Sequence, residues 1–241
     1  MLKGKDLISI NDLSSQDVSG ILSLATKVKK SPELYKDELR GKSLALIFQK
    51  PSSRTRVSFE VGMAQLGGHA IYLDETHIKF GSREAVKDIA ATLSRYVNCI
   101  VARTFLNKDI EELAEHSTIP VINGLSDMFH PCQGLSDIFT ITEKFKDPKK
   151  IKVVYIGDGN NVLHSLMHGV AKIGLDLTVA SPKGYEPKKN IVNEAEKSVK
   201  ITVLNDPLKA AEGADVIYTD VWVSMGQESE RAKRLNAFKM F

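Results

Sequence analysis

Cysteine is scarce in this sequence. Only Cys99 and Cys132 occur among 241 residues. They lie far apart and outside any metal-ligand spacing, which excludes a disulfide framework and points to a reducing compartment. An excess of either charge is also lacking: 33 basic against 30 acidic residues leave a formal charge of +3. That balance gives no reason to expect nucleic acid or an anionic membrane surface as a partner, so any use of cations must be local. No apolar run is long enough to span a bilayer. Residues Met1–Asn11 mix charged and apolar side chains without the apolar core of a signal peptide. A cytoplasmic protein is expected. The 42% hydrophobic and 26% charged residues suit a globular chain with a buried core, and the length allows two modest domains or one large one.

Apolar stretches alternate between strand-like runs and helical periodicity. Val18, Ile21, Leu22, Ala25 and Val28 share a helical face behind Ser14 and Ser15 as N-cap candidates. Strands are expected at residues 43–48, 70–73, 99–102, 120–122, 151–156, 177–180, 201–204 and 216–219. Helices are expected at 52–66, 85–96, 108–117, 135–145, 161–173 and 187–198. This rhythm predicts an α/β protein with mostly parallel sheets flanked by helices. The polar break at Lys146–Lys150, which contains Pro148, divides it into two tandem domains, 1–147 and 148–241. Ligands of such sheets bind at the carboxyl ends of strands, and a cleft between domains is the expected site.

Chemistry-bearing residues cluster at those strand ends. Ser52-Ser53-Arg54-Thr55-Arg56 follows the first strand and opens a helix. Hydroxyls, guanidiniums and the unpaired N–H groups of a helix start together make an anion trap. An ordinary N-cap with surface arginines is the bland alternative, but cations in a first helical turn oppose the helix dipole. Ser-x-Arg-Thr-Arg after a strand resembles the carbamoyl-phosphate signature of the aspartate and ornithine carbamoyltransferase family. Arg103 at a strand end, His130-Pro131-Cys132-Gln133, Gly157-Asp158-Gly159-Asn160-Asn161 and Asp220-x-Trp222-x-Ser224-Met225-Gly226 match the family in order, the last two in its ornithine branch.

The resemblance implies a carbamoyl transfer to L-ornithine with no metal and no cofactor. Ser52, Ser53, Arg54, Thr55, Arg103, His130 and Gln133 would bind carbamoyl phosphate. Arg54, Arg103 and His130 would be catalytic, stabilising the carbonyl oxygen as it gains charge. Asn161, Asp220, Ser224 and Met225 would bind ornithine. A homotrimer or an assembly of trimers is implied, and Lys79–Glu84 would form a lid or interface loop. Taken singly, Arg103 could be a solvated strand-end residue, His130 a loop histidine, and Asp220 a turn cap. Gly157-x-Gly159 also admits a dinucleotide loop, but Val162 stands where a third glycine belongs and no acid ends the next strand. A relative with another amine acceptor, or a noncatalytic carbamoyl-phosphate binder, completes the alternatives. Family chains continue past the end of this sequence into a His-Cys-Leu-Pro segment that it lacks. A C-terminally incomplete enzyme that binds carbamoyl phosphate better than it turns it over is therefore expected.

Overall fold

The computed structural model describes residues 2, 4–76, 78, 84–223 and 228–241. The chain forms two compact units, Met1–Cys132 and Gln133–Phe241.

In the first unit, β1 (Ser43–Phe48), β2 (His69–Asp74), β3 (Cys99–Arg103) and β4 (Val121–Leu125) make a parallel sheet in the order β2-β1-β3-β4. The alternation of β1 side chains fills two cores at once. Ala45 and Ile47 pack with Val86 and Ile89 of α3 (Val86–Leu93) and with Ile110 and Leu113 of α4 (Asn107–His116). Leu44, Leu46 and Phe48 pack on the other face with Met63 of α2 (Ser53–Gln65). Each fully buried Leu, Ile or Phe contributes about 1.5–3 kcal/mol, so β1 anchors this unit. Helix α1 (Ser15–Lys30) begins at Ser14, whose hydroxyl accepts from Asp17 N while the Asp17 carboxylate accepts from Ser14 N. This reciprocal cap explains the periodicity read there.

Two departures from the sequence expectation bear on the site. Strand β4 starts at Val121 and continues through Asn123-Gly124, beyond the expected end at residue 122. Asn123 is buried and donates to the Ile8 carbonyl at 3.0 Å. Gly124 sits at a register shift between Ala102 and Arg103, the bulge that ends β3 where Arg103 projects. Helix α5 (Pro131–Lys144) begins four residues before the expected Leu135. Pro131 occupies its first position, where the missing N–H costs nothing.

The second unit repeats the plan with β5 (Val153–Ile156), β6 (Leu177–Ala180), β7 (Ile201–Leu204) and β8 (Val216–Thr219), all parallel, ordered β7-β6-β5-β8. Helix α6 (Asn161–Ile173) is buried continuously from Val162 to Val170. Gly169 lets it approach α5, since a Cβ there would lie 3.0 Å from Ile138 Cγ2. Gly174, at φ 72°, ends it in the left-handed conformation. Short helices α7 (Lys189–Ala195), α8 (Pro207–Ala211) and α9 (Arg231–Ala237) complete the unit. Among the described residues no helix is long and apolar enough to cross a membrane.

Candidate active site

Strand β1 hands the chain to α2 through Ser52, the N-cap of the helix. Its extended backbone turns its Oγ to accept from Thr55 N at 3.4 Å and to donate to Thr55 Oγ1 at 3.0 Å. Arg103 reaches Thr55 Oγ1 with Nη1 at 3.2 Å from the end of β3. The main chain fixes that end: Gln49 N donates to the Arg103 carbonyl and Gln49 Oε1 accepts from Phe105 N at 2.7 Å. Arg103 is therefore no solvated strand-end residue. It is 7% exposed, and its Nε has no hydrogen-bond partner among the described residues. Burial, and then the neighbouring Arg54 charge, push its pKa down. Among the described residues neither Arg54 nor Arg103 forms an ion pair. Two guanidinium charges that feel each other without a carboxylate between them give this strand end an unbalanced positive field suited to an anion.

Lys50 adds to this field. Its ammonium lies 4.6 Å from the Phe105 ring centre. Burial and Arg103 lower its pKa, while Asp127 raises it. Sequence reasoning passed over Lys50, although it stands two residues before the Ser-Ser pair. Ser53 opens α2 next to the cap. His130 precedes α5, and burial followed by the Arg103 charge holds its pKa down to about 4. At neutral pH it is an uncharged imidazole with one N–H to donate.

Arg56 does not join the trap. Its guanidinium lies 3.8 Å from the Tyr72 ring centre, and its Nε donates to Glu60 at 3.0 Å. Residues two apart on a helix point to different sides, so only Arg54 of the pair is turned toward the field of Arg103.

In the second unit, Gln133 sits in the first turn of α5 and donates from Nε2 to Asp137 Oδ1 at 2.8 Å. Asp137 is a residue that the motif reading did not single out, although it falls one helical turn after Gln133. The loop after β5 carries the paired asparagines. Asn160 caps α6, accepting from Val162 N at 3.0 Å and Leu163 N at 3.1 Å. Its Nδ2 donates to Asp220 Oδ2 at 3.1 Å. Asn161 follows as the first residue of the helix. Asp220, just past β8, also accepts from Val221 N at 2.8 Å. The two strand-end loops are joined again by the buried pair of Arg234 Nη1 and Asp158 Oδ2 at 2.8 Å. Arg234 also donates to the Trp222 carbonyl and to Glu230. Ser224 and Met225, and the Lys79–Arg83 part of the charged loop, lie outside the described residues.

The glycines of the β5 loop have a packing explanation. A Cβ on Gly159 would fall 2.3 Å from the Glu186 carbonyl carbon, and Gly159 N donates to the Tyr185 carbonyl at 2.8 Å. The chain's own backbone thus occupies the space beside Gly159, where a dinucleotide loop would need to admit a pyrophosphate.

Comparison with known proteins also finds two domains, but groups α5 with the first sheet rather than the second. Residues 5–143 match the model of the aspartate/ornithine carbamoyltransferase carbamoyl-P binding domain, and residues 149–241 match the Asp/Orn binding domain of the same enzymes. The chain belongs to the aspartate/ornithine carbamoyltransferase family. Among its carbamoyltransferase relatives, the ornithine carbamoyltransferase of Pyrococcus horikoshii is 51% identical over all of this chain and 78% of that protein. The Bacillus subtilis ornithine carbamoyltransferase is 49% identical over 98% of the chain and 75% of that protein. The solved ornithine carbamoyltransferase from Pyrococcus furiosus superposes with a TM-score of 0.95 at 49% identity. It is matched over 100% of this chain and 79% of its own.

Proposed function

We propose that the protein transfers the carbamoyl group of carbamoyl phosphate to the δ-amine of L-ornithine, giving L-citrulline and phosphate. The observation that carries this reading is Arg103: a buried guanidinium beside Arg54, with no carboxylate partner among the described residues and with His130 held neutral at its side. A bound anion stabilises such a site, and a phosphorylated one-carbon donor supplies it. Ser52, Ser53, Arg54 and Thr55 hold the phosphate, with Arg103 completing the clamp. Arg54, Thr55, Arg103 and His130 surround the carbonyl oxygen, and Gln133 accepts from the carbamoyl NH2. The neutral δ-amine attacks the carbonyl carbon, and negative charge develops on the oxygen facing these donors. The intermediate collapses as the C–O bond to phosphate breaks, and the amine proton leaves with the phosphate dianion.

The second unit supports ornithine over aspartate. Asp220 is a carboxylate suited to the α-ammonium, with Asn161, Ser224 and Met225 completing the grip. Arg234, the buried cation of this loop cluster, is already engaged by Asp158 and Glu230. Among the described residues of that cluster it leaves no free cation for a second substrate carboxylate. The relatives named above as ornithine carbamoyltransferases add to this, and one from Pyrococcus furiosus carries the word anabolic in its name. A role in arginine biosynthesis, a cytoplasmic location, a domain boundary at residues 147/148 and a trimeric assembly belong to the same reading.

The test is citrulline formation from carbamoyl phosphate and ornithine, with aspartate and putrescine as parallel acceptors. Product with ornithine alone is the expected result. Product with aspartate or putrescine in its place, or none with any acceptor, would overturn it.

A further inference from the structure

Gln133 can serve a carbamoyl group only in one of its two amide orientations. The carbamoyl nitrogen carries hydrogens, so it needs the Gln133 carbonyl oxygen, and a flipped amide would set NH2 against NH2. The structure contains a device that selects the orientation. Asp137, one turn along α5, accepts from Gln133 Nε2 at 2.8 Å. The Tyr218 hydroxyl of β8 lies in the field of the same carboxylate, which adds to burial in raising its pKa. An ionised carboxylate has no hydrogen to donate, so the Gln133 carbonyl cannot turn toward it without repulsion. Oε1 is left to face the ligand.

We infer that Asp137 is a positioning residue that sets donor specificity, locking the Gln133 amide so that the site prefers a carbamoyl phosphate over an acyl phosphate of the same shape. The inference rests on the carbamoyl-transfer reading of the site. Acetyl phosphate is the matching probe, with a methyl group in place of the NH2. It leaves Oε1 without a donor and so binds more weakly.

The lock depends on protonation. Burial raises the Asp137 pKa to about 6, Asp220 adds to the rise, and Gln133 and Tyr218 oppose it. Tyr155 of β5 also faces this carboxylate. Tyr155 and Tyr218 both stay neutral well above pH 7, because burial raises their pKa further. Asp137 is therefore the group that changes charge near pH 6. Below that it gains a hydrogen, can donate to Gln133 Oε1, and loses its hold on the orientation.

The experiment measures dissociation constants of fresh carbamoyl phosphate and acetyl phosphate by competition with inorganic phosphate. It uses wild type, Asp137→Asn, Gln133→Ala and the double variant. Asparagine satisfies either amide orientation, so Asp137→Asn should cut the carbamoyl-to-acetyl preference about ten-fold while phosphate affinity holds. It should change nothing further in the Gln133→Ala background, where a merely structural role would still register. If the variant fails to fold, wild type still decides: its preference should fall as pH drops from 7.5 to 5.5. A preference that survives both Asp137→Asn and the pH change overturns the role of Asp137. Failure of wild type to bind carbamoyl phosphate at all overturns the carbamoyl-transfer reading and this inference with it.

Discussion

The two units solve opposite electrostatic problems with the same scaffold. At its strand ends, the first unit gathers Lys50, Arg54 and Arg103, with no ion pair to either arginine among the described residues. The second unit gathers Asp158 and Asp220 at its strand ends, with Asp137 of α5, around two tyrosines. Each cluster works against its own stability, because like charges repel and burial costs them solvation. On the proposed reading a dianion would relieve the first and a cationic amino acid the second. Among the described residues the second unit has an internal remedy in the Arg234–Asp158 pair, while Asp220 forms no ion pair.

The largest effect should come from breaking the first cluster. Arg103→Met removes a buried charge with no carboxylate partner and one donor to the developing oxyanion. Turnover should fall by about 10³-fold, as loss of a preorganised donor does elsewhere. The thermal midpoint without ligand should hold or rise, since the deleted charge was uncompensated. Steady-state rates and a melting curve on the same sample check both. A variant that loses activity only by unfolding would mean Arg103 is a structural residue.

Next comes the remedy in the second unit. Arg234→Met strands the Asp158 carboxylate, 6% exposed, without its cation. Breaking a buried pair from one side costs about 3–5 kcal/mol, read as a lowered urea midpoint. Asp158→Asn with Arg234→Met should recover much of it. A single variant as stable as wild type would show that the pair carries no net stability.

A smaller effect concerns His130. Its pKa is about 4 when folded against about 6.5 unfolded, so the folded state favours the neutral ring. The unfolded chain binds more protons between those values. Stability from this residue is therefore full above about pH 6.5 and is lost as pH falls toward 4, by on the order of 2–3 kcal/mol. Comparing the pH slope of urea unfolding for wild type and His130→Asn isolates it. Identical slopes would sink the assignment.

How much of this was legible in sequence differs by level. The strands at 43–48, 177–180, 201–204 and 216–219 coincide with the observed ones, because short apolar runs bounded by breakers leave little choice. Strand β4 runs past the expected 120–122, since the Asn123 amide is satisfied inside the fold and Gly124 forms the bulge. The Ser52–Arg56 motif stands out in sequence because its residues are contiguous. The burial of Arg103 and the rise of the Asp137 pKa could not, since both depend on neighbours brought in by other strands. The Gln133–Asp137 spacing of four was there to be used, but it carries a meaning only once the donor's NH2 is considered.

Arg54 and Arg56 offer the finest test of the contrast, because they differ by two positions in one helical turn. Arg56→Gln loses an exposed pair with Glu60 and a ring contact with Tyr72, together about 1 kcal/mol of stability. Carbamoyl phosphate affinity should stay within about two-fold of wild type, because the side chain faces away from Arg103. Arg54→Gln should do the reverse. It leaves stability unchanged or improved, since a cation is removed from a helix start. It weakens binding about ten-fold or more through the lost charge-assisted contact. Thermal midpoints and binding constants for the two variants, measured side by side, form a crossed pair. Equal losses of affinity would place both guanidiniums in the trap and would require α2 to turn its first helical turn differently, which the Ser52 cap and the Tyr72 contact argue against.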